Sequence, residues 1–533
     1  MNNIKILDCT LRDGGYINEW RFGSKAIEEI IFNLSKSNID IIECGFLTSK
    51  TYDPDYSLYN SVEILNQFIK KNQNSPMYVA MIALGEMEID PNLLSESKNG
   101  PIDGIRLTFR QHQIDRAFDC AKIIMQKGYK LFMQPVGTTN YTDKELIDLV
   151  DRINILKPYA FYLVDTLGVM FKNDLIRQTQ LIDYNLDQEI RLGFHSHNNL
   201  QLSFSNAQAL TEYKTEREII FDSSANGMGR GAGNLCSELF MEFLNKYYGY
   251  NYDVLPIVEI IDKYLNPIYL TSPWGYNSAY FISAINHCHP NYSTYLITKH
   301  TLSMSSISNI LGQLPQDKKR FFDKALIEKI YQSYQNNAID DIEITNFLRK
   351  KFDGKNILVI APGASIKNKA ESILRYIAKH NPIVISVNFV PDFVNHDLLF
   401  IGNNLRYNGL KDAIDLNKTI FTSNIVGTPN NAKKVNYPEL VNASADASDS
   451  SGIMILKLLK KTSVKSVALA GYDGFSKNPL GNYINNDFCV ISDFVSLREK
   501  NLAIKEQISL ISKKMKIKFI TNSIYKKDEM KRG

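Results

Sequence analysis

The sequence predicts an α/β protein with a parallel (β/α)8 barrel, a helical extension, and then a doubly wound α/β domain. Three observations support this prediction. Short apolar runs alternate with amphipathic segments over roughly the first 230 residues, polar residues follow nearly every run, and a new strand–turn–helix pattern begins after residue 353. Parallel strands need a long crossover that returns the chain to the same end, so repeated alternation favours a closed barrel.

Eight apolar runs are typical of buried strands. The predicted strands are residues 4–9, 39–46, 77–84, 104–109, 130–136, 160–164, 191–195 and 219–222. The helical patterns between them cover residues 25–37, 57–70, 114–127, 143–156, 173–184 and 200–212. In a TIM barrel of this kind, the chemistry takes place at the carboxyl ends of the strands.

Candidate metal ligands follow the first and seventh predicted strands. Arg12 and Asp13 come directly after the first strand, and His195 and His197 end the seventh. Residues at i and i+2 of a strand point to the same face, so both imidazoles face one side. One carboxylate and two imidazoles suit a divalent metal with open positions for substrate. Arg12 can hold a carboxylate beside it, because its guanidinium fork matches that group.

Other polar residues at strand ends form a predicted ring around the barrel mouth. Glu43, Gln134 and Thr166 lie at or just after the second, fifth and sixth strands, and we expect them to bind substrate. A glycine-rich turn, residues 227–234, follows the eighth strand and allows the backbone to approach a ligand closely. It lacks the P-loop lysine and the dinucleotide spacing. Asn234 at its end is placed to reach the metal.

We predict three segments: a barrel domain over residues 1–235, a helical extension and linker over 236–350, and a Rossmann-like domain over 351–533. Prolines break the helical pattern of the extension, and residues 316–351 are charged and predict a helical bridge between domains. His287 and His289 in this segment fit either a second metal site or, with more support, a packed or lid segment over the barrel, because no nearby residues supply matching ligands.

The C-terminal segment begins with an apolar strand at residues 356–361, the turn Pro362-Gly363-Ala364-Ser365, and a helix at 367–379. Further strands are predicted at 382–388, 398–401, 418–422 and 466–470. Such a turn offers a helix N-terminus to an anion, as in doubly wound sheets. Residues 446–451, beginning at Asp446, are small and polar, and predict a mobile loop or a helix cap.

Composition excludes several classes of protein. A net charge of +4 over 533 residues argues against nucleic-acid binding, and the basic tail is typical of a solvated terminus. That tail contains Lys526, Lys527, Lys531 and Arg532. No apolar run is long enough to span a membrane, and the first residues lack a signal-peptide pattern. Six scattered cysteines without C-x-x-C spacing predict a reduced, cytoplasmic protein; they are Cys9, Cys44, Cys120, Cys236, Cys288 and Cys489.

Four motifs resemble those of the metal-dependent pyruvate aldolase and HMG-CoA lyase-like superfamily. The first is Cys9-Thr10-Leu11-Arg12-Asp13-Gly14. The others are Val164-Asp165-Thr166-Leu167-Gly168, His195-Ser196-His197-Asn198-Asn199 and Gly231-Ala232-Gly233-Asn234. They occur in the family's order and spacing, over roughly residues 1–300. The superfamily includes 4-hydroxy-2-oxovalerate aldolase, HMG-CoA lyase and isopropylmalate synthase.

This resemblance implies a class II aldolase or lyase that acts on a 2-oxo acid and an aldehyde or sugar. It implies that Asp13, His195 and His197, with Asn234 as a possible fourth group, bind Mn²⁺, Mg²⁺, Co²⁺ or Zn²⁺, and that Arg12 steadies the enolate of an acid such as pyruvate. Charge develops on oxygen when a bond next to a ketone forms or breaks, and a cation stabilises it. We also expect a homo-oligomer.

One position departs from the family pattern. The 4-hydroxy-2-oxovalerate aldolases carry a histidine base shortly after the Arg-Asp pair, and this chain has Tyr16 there. With an ordinary pKa of about 10, tyrosine is a poor base but a usable proton donor or relay. We therefore expect Tyr16 to take part in proton transfer, with an aldehyde partner that differs from the family's.

The C-terminal segment resembles Rossmann-like domains of the sialyltransferase and pterin-pyrophosphokinase-like group. In such domains the early turn and an asparagine touch a nucleotide or nucleotide sugar, which implies contacts from Gly363, Ser365 and Asn388 here. A barrel of this type joined to such a domain is similar to proteins of bacterial surface-polysaccharide synthesis, and an activated sugar is then a candidate substrate.

Three other functions compete with the aldolase prediction. A Claisen-condensing synthase would use an acyl-CoA, but no acyl-CoA pocket is identifiable from the sequence. A nucleotide-sugar-dependent transferase would act through the C-terminal domain, with the barrel as a scaffold. A binding or assembly protein is the third alternative. The presence of Arg12, Asp13, His195 and His197 argues against an inactive barrel.

Overall fold

The structure of the chain is a computed structural model, and it describes residues 3–72, 75–442, 447–476, 478, 481–485 and 494–526. Several residues named above lie outside these ranges. They are Asp446 of the predicted mobile loop or cap, Cys489, and Lys527, Lys531 and Arg532 of the basic tail.

The N-terminal part is a closed parallel barrel of eight strands within the described residues, so the TIM-barrel prediction is confirmed. The strands of this part are β1 (Ile4–Asp8), β2 (Ile41–Leu47), β3 (Leu58–Tyr59), β4 (Met77–Ala83), β5 (Gly104–Phe109), β6 (Lys130–Pro135), β7 (Ala160–Asp165), β8 (Arg191–Ser196) and β9 (Ile219–Ser223), and all except β3 form the barrel. Pairing of β1 with both β2 and β9 closes the barrel, while the two-residue β3 lies beside β2.

Helices of the barrel follow the strands as the alternation predicts, with one exception. They are α1 (Gly15–Asn18), α2 (Ser24–Lys36), α3 (Ile114–Gln126), α4 (Asp143–Leu156), α5 (Lys172–Asn185), α6 (Ser203–Thr211) and α7 (Ser237–Tyr248). The predicted helix at residues 57–70 is wrong, because this stretch forms β3 and then the 3-10 helix Val62–Gln67. Phe46 and Leu47 pair through their backbones with Leu58 and Tyr59, so the start of this stretch joins the sheet as a strand.

Two layers of apolar side chains hold the barrel together. Leu7, Val79, Phe132, Tyr162 and Ile220 fill its interior and are completely buried. A larger cluster joins the outer strand faces to the amphipathic helices. Since interior side chains fill the barrel as a solid core, a ligand site can open only at an end of the strands.

The chain folds into two compact units, and their boundary differs from the predicted domain limits. One unit contains Met1–Asn291 and Gln316–Phe322; the other contains Tyr292–Pro315 and Asp323–Gly533. The predicted extension, residues 236–350, is therefore divided between the two units. Residues 316–322 belong to the barrel unit and do not start a continuous helical bridge.

The divided segment is helical, as its sequence predicts. Its helices are α8 (Leu255–Ile260), α9 (Asn266–Thr271), α10 (Ser278–Ile285), α11 (Pro290–Thr298), α12 (Met304–Gly312), α13 (Lys324–Gln335) and α14 (Ile342–Phe352). A π-helical turn at Ile261–Leu265 joins α8 to α9.

The second unit contains a parallel sheet of seven strands among its described residues. The strands are β10 (Ile357–Ile360), β11 (Ile383–Val387), β12 (Leu398–Ile401), β13 (Thr419–Thr422), β14 (Lys433–Val435), β15 (Ser466–Ala470) and β16 (Lys516–Phe519). The remaining helices are α15 (Ser365–Asn368), α16 (Ala370–His380), α17 (Asn404–Leu410), α18 (Tyr437–Leu440), α19 (Ser451–Lys461) and α20 (Phe494–Ser512). The five predicted strands are present, and sequence analysis missed β14 and β16.

The strand order of this sheet is β14-β13-β12-β11-β10-β15-β16. The chain runs outward from β10 to β14 and then returns to place β15 on the other side of β10. Separate apolar clusters cover the two faces of the sheet. The order therefore reverses between β10 and β15, as in a doubly wound sheet, where ligands bind at such a switch point.

Five cysteines lie within the described residues, and all five are free thiols: Cys9, Cys44, Cys120, Cys236 and Cys288. In the same part of the chain, we find no helix with the length and apolar character needed to cross a bilayer.

Candidate active site at the barrel mouth

The three candidate metal ligands come together at the carboxyl end of the barrel. Asp13 lies in the turn after β1, and His195 and His197 lie at the end of β8. Candidate ligand atoms of these three buried side chains lie within 4.8 Å of one another. Within the described ranges, this is the one group of three or more His, Cys, Asp or Glu side chains that fits a metal ion.

Asn234 completes the group from the loop after β9. Its Nδ2 donates to Asp13 Oδ2 at 2.8 Å, and its backbone pairs with that of His197. Two buried atoms at this point, His197 Nδ1 and Asn234 Oδ1, have no hydrogen-bond partner among the described residues. Buried polar atoms are rarely left unpaired. These donors therefore fit a bound divalent cation.

The protonation of the site also suits a metal. Burial opposes the charge on Asp13, but the positive charge of Arg12 holds the pKa of this carboxyl well below its usual range. Burial lowers the pKa of His197 to about 3, which keeps the imidazole neutral. An ionised carboxylate and a neutral imidazole are the forms that coordinate metals.

A buried carboxylate orients His195. Asp222, on β9, lies 2.9 Å from His195 Nδ1 through its Oδ2. When Nδ1 donates its proton to this carboxylate, Nε2 is left with the lone pair that a metal requires. The same oxygen accepts from the guanidinium of Arg106.

Arg12 and Arg106 form an ion network with Glu43, beneath the cavity. Arg12 donates through Nε to Glu43 Oε2 at 2.9 Å and through Nη1 to Asp13. Arg106 donates to the same Glu43 oxygen and is completely buried. Glu43, predicted to bind substrate, therefore holds two arginines in place and lies outside the cavity lining. No described residue accepts from Nη2 of Arg12, and this group is available to a ligand.

The sequence analysis did not predict that Arg106 and Asp222 form an ion pair. Arg106 was detectable as a charged residue at the centre of the apolar strand Gly104–Phe109. A charge at an inward strand position needs a buried partner. Its partners lie 63 and 116 residues away along the chain, and only the closed barrel brings them together.

The family-like motifs meet in three loops that hydrogen-bond to one another. Asn199 donates to the carbonyl of Leu167 at 2.9 Å and accepts from the backbone of Ala232 at 2.8 Å. Asn198 N donates to the carbonyl of Gly233 at 2.8 Å. The loops after β7, β8 and β9 thus form one support for the candidate metal ligands.

Two glycines are needed here because the backbone passes close to these ligands. A Cβ on Gly168 would lie 2.7 Å from the carbonyl oxygen of His197, and φ at Gly168 is +60°. A Cβ on Gly229 would lie 2.3 Å from Asn234 Nδ2 and 2.6 Å from Asp13 Oδ2. Any other residue at these positions must displace the site.

A cavity of about 400 Å³ opens over this group. Its volume is in the range typical of small-molecule sites. The predicted site residues that line it are Arg12, Asp13, Tyr16, Gln134, Thr166, His195 and His197. Further lining comes from Glu86, Arg110, Arg230, Arg320, Phe321 and Phe322.

Thr166 and Gln134 reach the cavity from neighbouring strands. Thr166 Oγ1 accepts from the backbone of Gly137 at 2.9 Å, so its proton remains available to a ligand. The side-chain amide of Gln134 lies beside Arg106. When the amide oxygen is oriented towards the guanidinium, it accepts a hydrogen bond from Arg106 Nε at 3.3 Å.

Tyr16 lies in the cavity wall. Its hydroxyl donates to Glu86 Oε1 at 3.0 Å, and the guanidinium of Arg230 lies 3.8 Å from its ring centroid. Burial raises the pKa of Tyr16 to about 12, so the phenol stays protonated.

His289, but not His287, belongs to the lining of the cavity. His289 lines the cavity, and its Nδ1 accepts from the backbone of Asn291 at 3.2 Å. Burial lowers its pKa to about 3. Since neither histidine belongs to a described group of three candidate metal ligands, the structure favours the cavity-covering alternative for His289 over a second metal site.

The candidate nucleotide-binding residues of the second unit do not form a single cluster. Gly363 lines a small cavity of about 120 Å³ between the ends of β10 and β15. Ser365 donates from its backbone to Asp473 at 2.6 Å, and its hydroxyl also pairs with this carboxylate. Asn388, at the end of β11, accepts from the backbone of Gly402 at 3.0 Å.

The fold and the site define a class of protein: a TIM barrel with one carboxylate and two imidazoles converging at its catalytic end. Residues 106–260 match the HMGL-like family. Over these residues the barrel is similar to the metal-dependent aldolases and HMG-CoA lyase-like proteins.

Several curated proteins and one solved structure are similar to about half of this chain. The chain is 23% identical over 279 residues to a 4-hydroxy-2-oxovalerate aldolase from Geobacillus genomosp. 3, covering 50% of this chain and 77% of that protein. A 4-hydroxy-2-oxovalerate aldolase from Carboxydothermus hydrogenoformans is 25% identical over 273 residues, with shares of 50% and 77%. Among solved structures, the N-terminal domain of a candidate aldolase from Bacteroides vulgatus gives a TM-score of 0.48 at 27% identity, covering 57% of this chain and 99% of that one.

Proposed function

We propose that the barrel is a divalent-metal-dependent aldolase or lyase that forms or breaks a carbon–carbon bond next to the carbonyl of a 2-oxo acid such as pyruvate. The observation that carries the proposal is the convergence of Asp13, His195, His197 and Arg12 on one cavity. The loss or formation of such a bond leaves negative charge on the carbonyl oxygen, and this arrangement places fixed positive charge there.

Asp13, His195 and His197, with Asn234 beside them, would hold the metal. When bound, the cation supplies Lewis-acid stabilisation of the developing oxyanion. Mn²⁺, Mg²⁺, Co²⁺ and Zn²⁺ all accept this set of nitrogen and oxygen donors, with Mn²⁺ and Co²⁺ suited to its mixed character.

Arg12 would bind the substrate carboxylate through Nη2, because its Nε and Nη1 are held by Glu43 and Asp13. A guanidinium fixed on two sides loses little freedom when a substrate binds. Gln134 and Thr166 line the same cavity and would orient the acid from the opposite strands. Glu43 would contribute by positioning Arg12.

Tyr16 would transfer a proton to or from the second substrate. With a pKa raised to about 12 by burial, its hydroxyl is a donor at neutral pH, and Glu86 accepts its hydrogen bond at 3.0 Å. Tyr16→Phe keeps the ring under Arg230 and removes only the hydroxyl. We expect it to lower kcat for aldol cleavage by roughly 10²-fold or more. A turnover equal to that of the parent enzyme removes Tyr16 from the mechanism.

The enolate-forming step can be tested without a second substrate. Pyruvate is incubated with the protein and Mn²⁺ in D₂O, and exchange of its methyl protons is followed by NMR. We expect exchange that EDTA abolishes and that Asp13→Asn and His197→Gln lose. Arg177→Gln is a matched control, because Arg177 forms an exposed ion pair with Asp143 on the outside of the barrel. Absence of exchange with every metal contradicts the proposal.

The same assay separates the acyl-CoA alternative. A Claisen-condensing enzyme consumes acetyl-CoA in the presence of a 2-oxo acid and releases a free thiol. We expect no thiol release from acetyl-CoA under conditions that exchange pyruvate protons. Thiol release without pyruvate exchange favours the synthase.

We further propose a nucleotide or nucleotide-sugar site in the second unit, between the ends of β10 and β15. The supporting observation is the small cavity at this switch point, lined by Gly363 and Asp473. Because a carboxylate accepts hydrogen bonds and repels a phosphate, Asp473 would meet a ribose hydroxyl better than a phosphate. Calorimetric titration of the full chain with CMP and UDP tests this, with Asp473→Asn expected to weaken binding; no heat with either nucleotide counts against it.

A role in bacterial surface-polysaccharide synthesis fits an aldolase that extends a sugar aldehyde with a three-carbon acid. We place this reaction in the cytoplasm, in agreement with the unpaired cysteines of the described residues. The homo-oligomeric state stays a prediction, which sedimentation of the purified chain can test.

A further inference from the structure

We propose that the second substrate of the barrel is a phosphorylated aldehyde, whose phosphate is bound by Arg110, Arg230 and Arg320 in the outer part of the active-site cavity. This inference rests on the proposed function and specifies its acceptor substrate. All three arginines belong to the barrel unit and line the cavity above the metal ligands.

These three arginines differ from the two beneath the cavity in how their charge is balanced. Arg12 and Arg106 pair closely with Asp13, Glu43 and Asp222. Two carboxylates line the cavity with the outer arginines: Asp13, which pairs with Arg12, and Glu86. The Glu86 oxygens lie 3.8 Å from Arg110 and 3.7 Å from Arg230, beyond hydrogen-bond distance.

Because Asp13 already pairs with Arg12, Glu86 is left to balance the three outer guanidinium groups of this cavity, which leaves an excess of positive charge there. The carboxylate of a 2-oxo acid does not neutralise these outer charges, because Arg12 and the candidate metal site bind that carboxylate at the inner end of the cavity. A phosphate monoester carries about two negative charges at neutral pH and presents three acceptor oxygens. Arginine binds such groups with paired N–H donors.

The outer arginines are held by contacts that leave donors free for an anion. Arg230 stacks on the Tyr16 ring at 3.8 Å, and Arg110 lies 4.3 Å from the centroid of the Phe321 ring. Stacking on an aromatic face orients a guanidinium without using its N–H groups. Arg320 donates to the carbonyl of Asn140 at 3.1 Å and to Gln111 Oε1 at 3.4 Å, which leaves its other N–H groups for an anion.

The space available also exceeds the needs of pyruvate alone. Since a water molecule takes about 30 Å³ in the liquid, the cavity of about 400 Å³ holds more than the six non-hydrogen atoms of pyruvate. Arg110 and Arg320 also line an adjoining cavity of about 600 Å³, which includes Asp317 as its acidic residue. The two arginines thus lie where the cavities adjoin, on a route for an anionic substrate.

Binding can be measured apart from turnover with an unreactive probe. The full chain is loaded with Mn²⁺ and oxalate, so that the metal is capped, and titrated calorimetrically with glycerol 3-phosphate and with glycerol. We expect the phosphate to bind at least tenfold more tightly. Arg110→Gln and Arg320→Gln should each weaken it roughly tenfold or more, because each removes hydrogen bonds to a charged group. Arg320→Lys, which keeps the positive charge, should lose less affinity for glycerol 3-phosphate than Arg320→Gln.

Turnover identifies the acceptor class. With pyruvate as donor, we expect kcat/KM for glyceraldehyde 3-phosphate to exceed that for glyceraldehyde and for succinic semialdehyde, a carboxylated aldehyde. The ratio of the phosphorylated to the neutral acceptor should fall at least tenfold in Arg110→Gln, and stay unchanged in the control Arg177→Gln.

Several results overturn the inference. Equal binding of glycerol 3-phosphate and glycerol removes the phosphate site, and stronger use of succinic semialdehyde assigns the arginines to a carboxylate. Unchanged phosphate affinity in both glutamine variants shows that the phosphate binds elsewhere. The proposed function fails separately, through loss of pyruvate proton exchange, which needs no acceptor.

Discussion

The buried ion network under the active site should be the most sensitive point of the barrel. Arg106 is completely buried and pairs with Glu43 and Asp222, and Asp222 in turn orients His195. Arg106→Met keeps the length of the side chain and removes its charge. Glu43 retains Arg12, but Asp222 is left with His195 as its main partner.

The expected loss follows from the cost of a buried charge without its partner. Removing one member of a buried ion pair costs roughly 3–5 kcal/mol, which lowers the melting temperature of a domain of this size by about 10 °C. Because Asp222 also fixes the orientation of His195, a candidate metal ligand, we expect Mn²⁺ affinity to fall about 10–100-fold. Urea unfolding and calorimetric Mn²⁺ titration measure the two effects.

A double variant separates stability from metal binding. Arg106→Met combined with Asp222→Leu removes both members of one pair, so part of the lost stability should return. Mn²⁺ affinity should stay low, because nothing then orients His195. Arg177→Gln provides the control, with a change of about 1 kcal/mol or less for an exposed pair. Wild-type stability and Mn²⁺ affinity in Arg106→Met would refute the reasoning.

Three further predictions concern pH, backbone packing and the second unit. In metal-free protein, His289 becomes protonated near pH 6.5 in the unfolded chain but only near pH 3 in the folded chain, so the stability that the neutral His289 contributes is lost as the pH falls. Urea unfolding should show that the stability of wild type relative to His289→Gln decreases by about 1.4 kcal/mol per pH unit between pH 6 and 4. A constant difference between the two proteins would contradict this prediction. Gly229→Ala should abolish Mn²⁺ binding in calorimetry, since its Cβ would lie 2.6 Å from Asp13 Oδ2, whereas Gly312→Ala, with open space around it, should bind normally. Tyr331→Phe removes a buried hydrogen bond to Asp449 and should lower the unfolding free energy of the second unit by about 1.5–3 kcal/mol, while the exposed Tyr184→Phe should leave stability unchanged.

The local pattern of apolar and polar residues predicted most of the barrel, because the periodicity of a strand or a helix can be recognised within a short stretch of sequence. All eight barrel strands are present, with ends that differ from the predicted ones by at most two residues. The exception, residues 57–70, has a helix-like pattern but pairs with β2 at Leu58–Tyr59. In the second unit, β14 and β16 lie at the two edges of the sheet, where short, half-exposed strands carry little apolar signal.

The sequence by itself predicted the candidate metal ligands and Arg12, because the motifs after β1, β8 and β9 lie at the ends of strands whose direction is fixed by parallel pairing. Only the tertiary structure decided which residues complete the site. Arg106 finds Asp222 across the barrel, and Arg320 reaches the cavity from a segment predicted as a linker. These partners are remote along the chain, and their meeting depends on barrel closure and register, which no local pattern encodes.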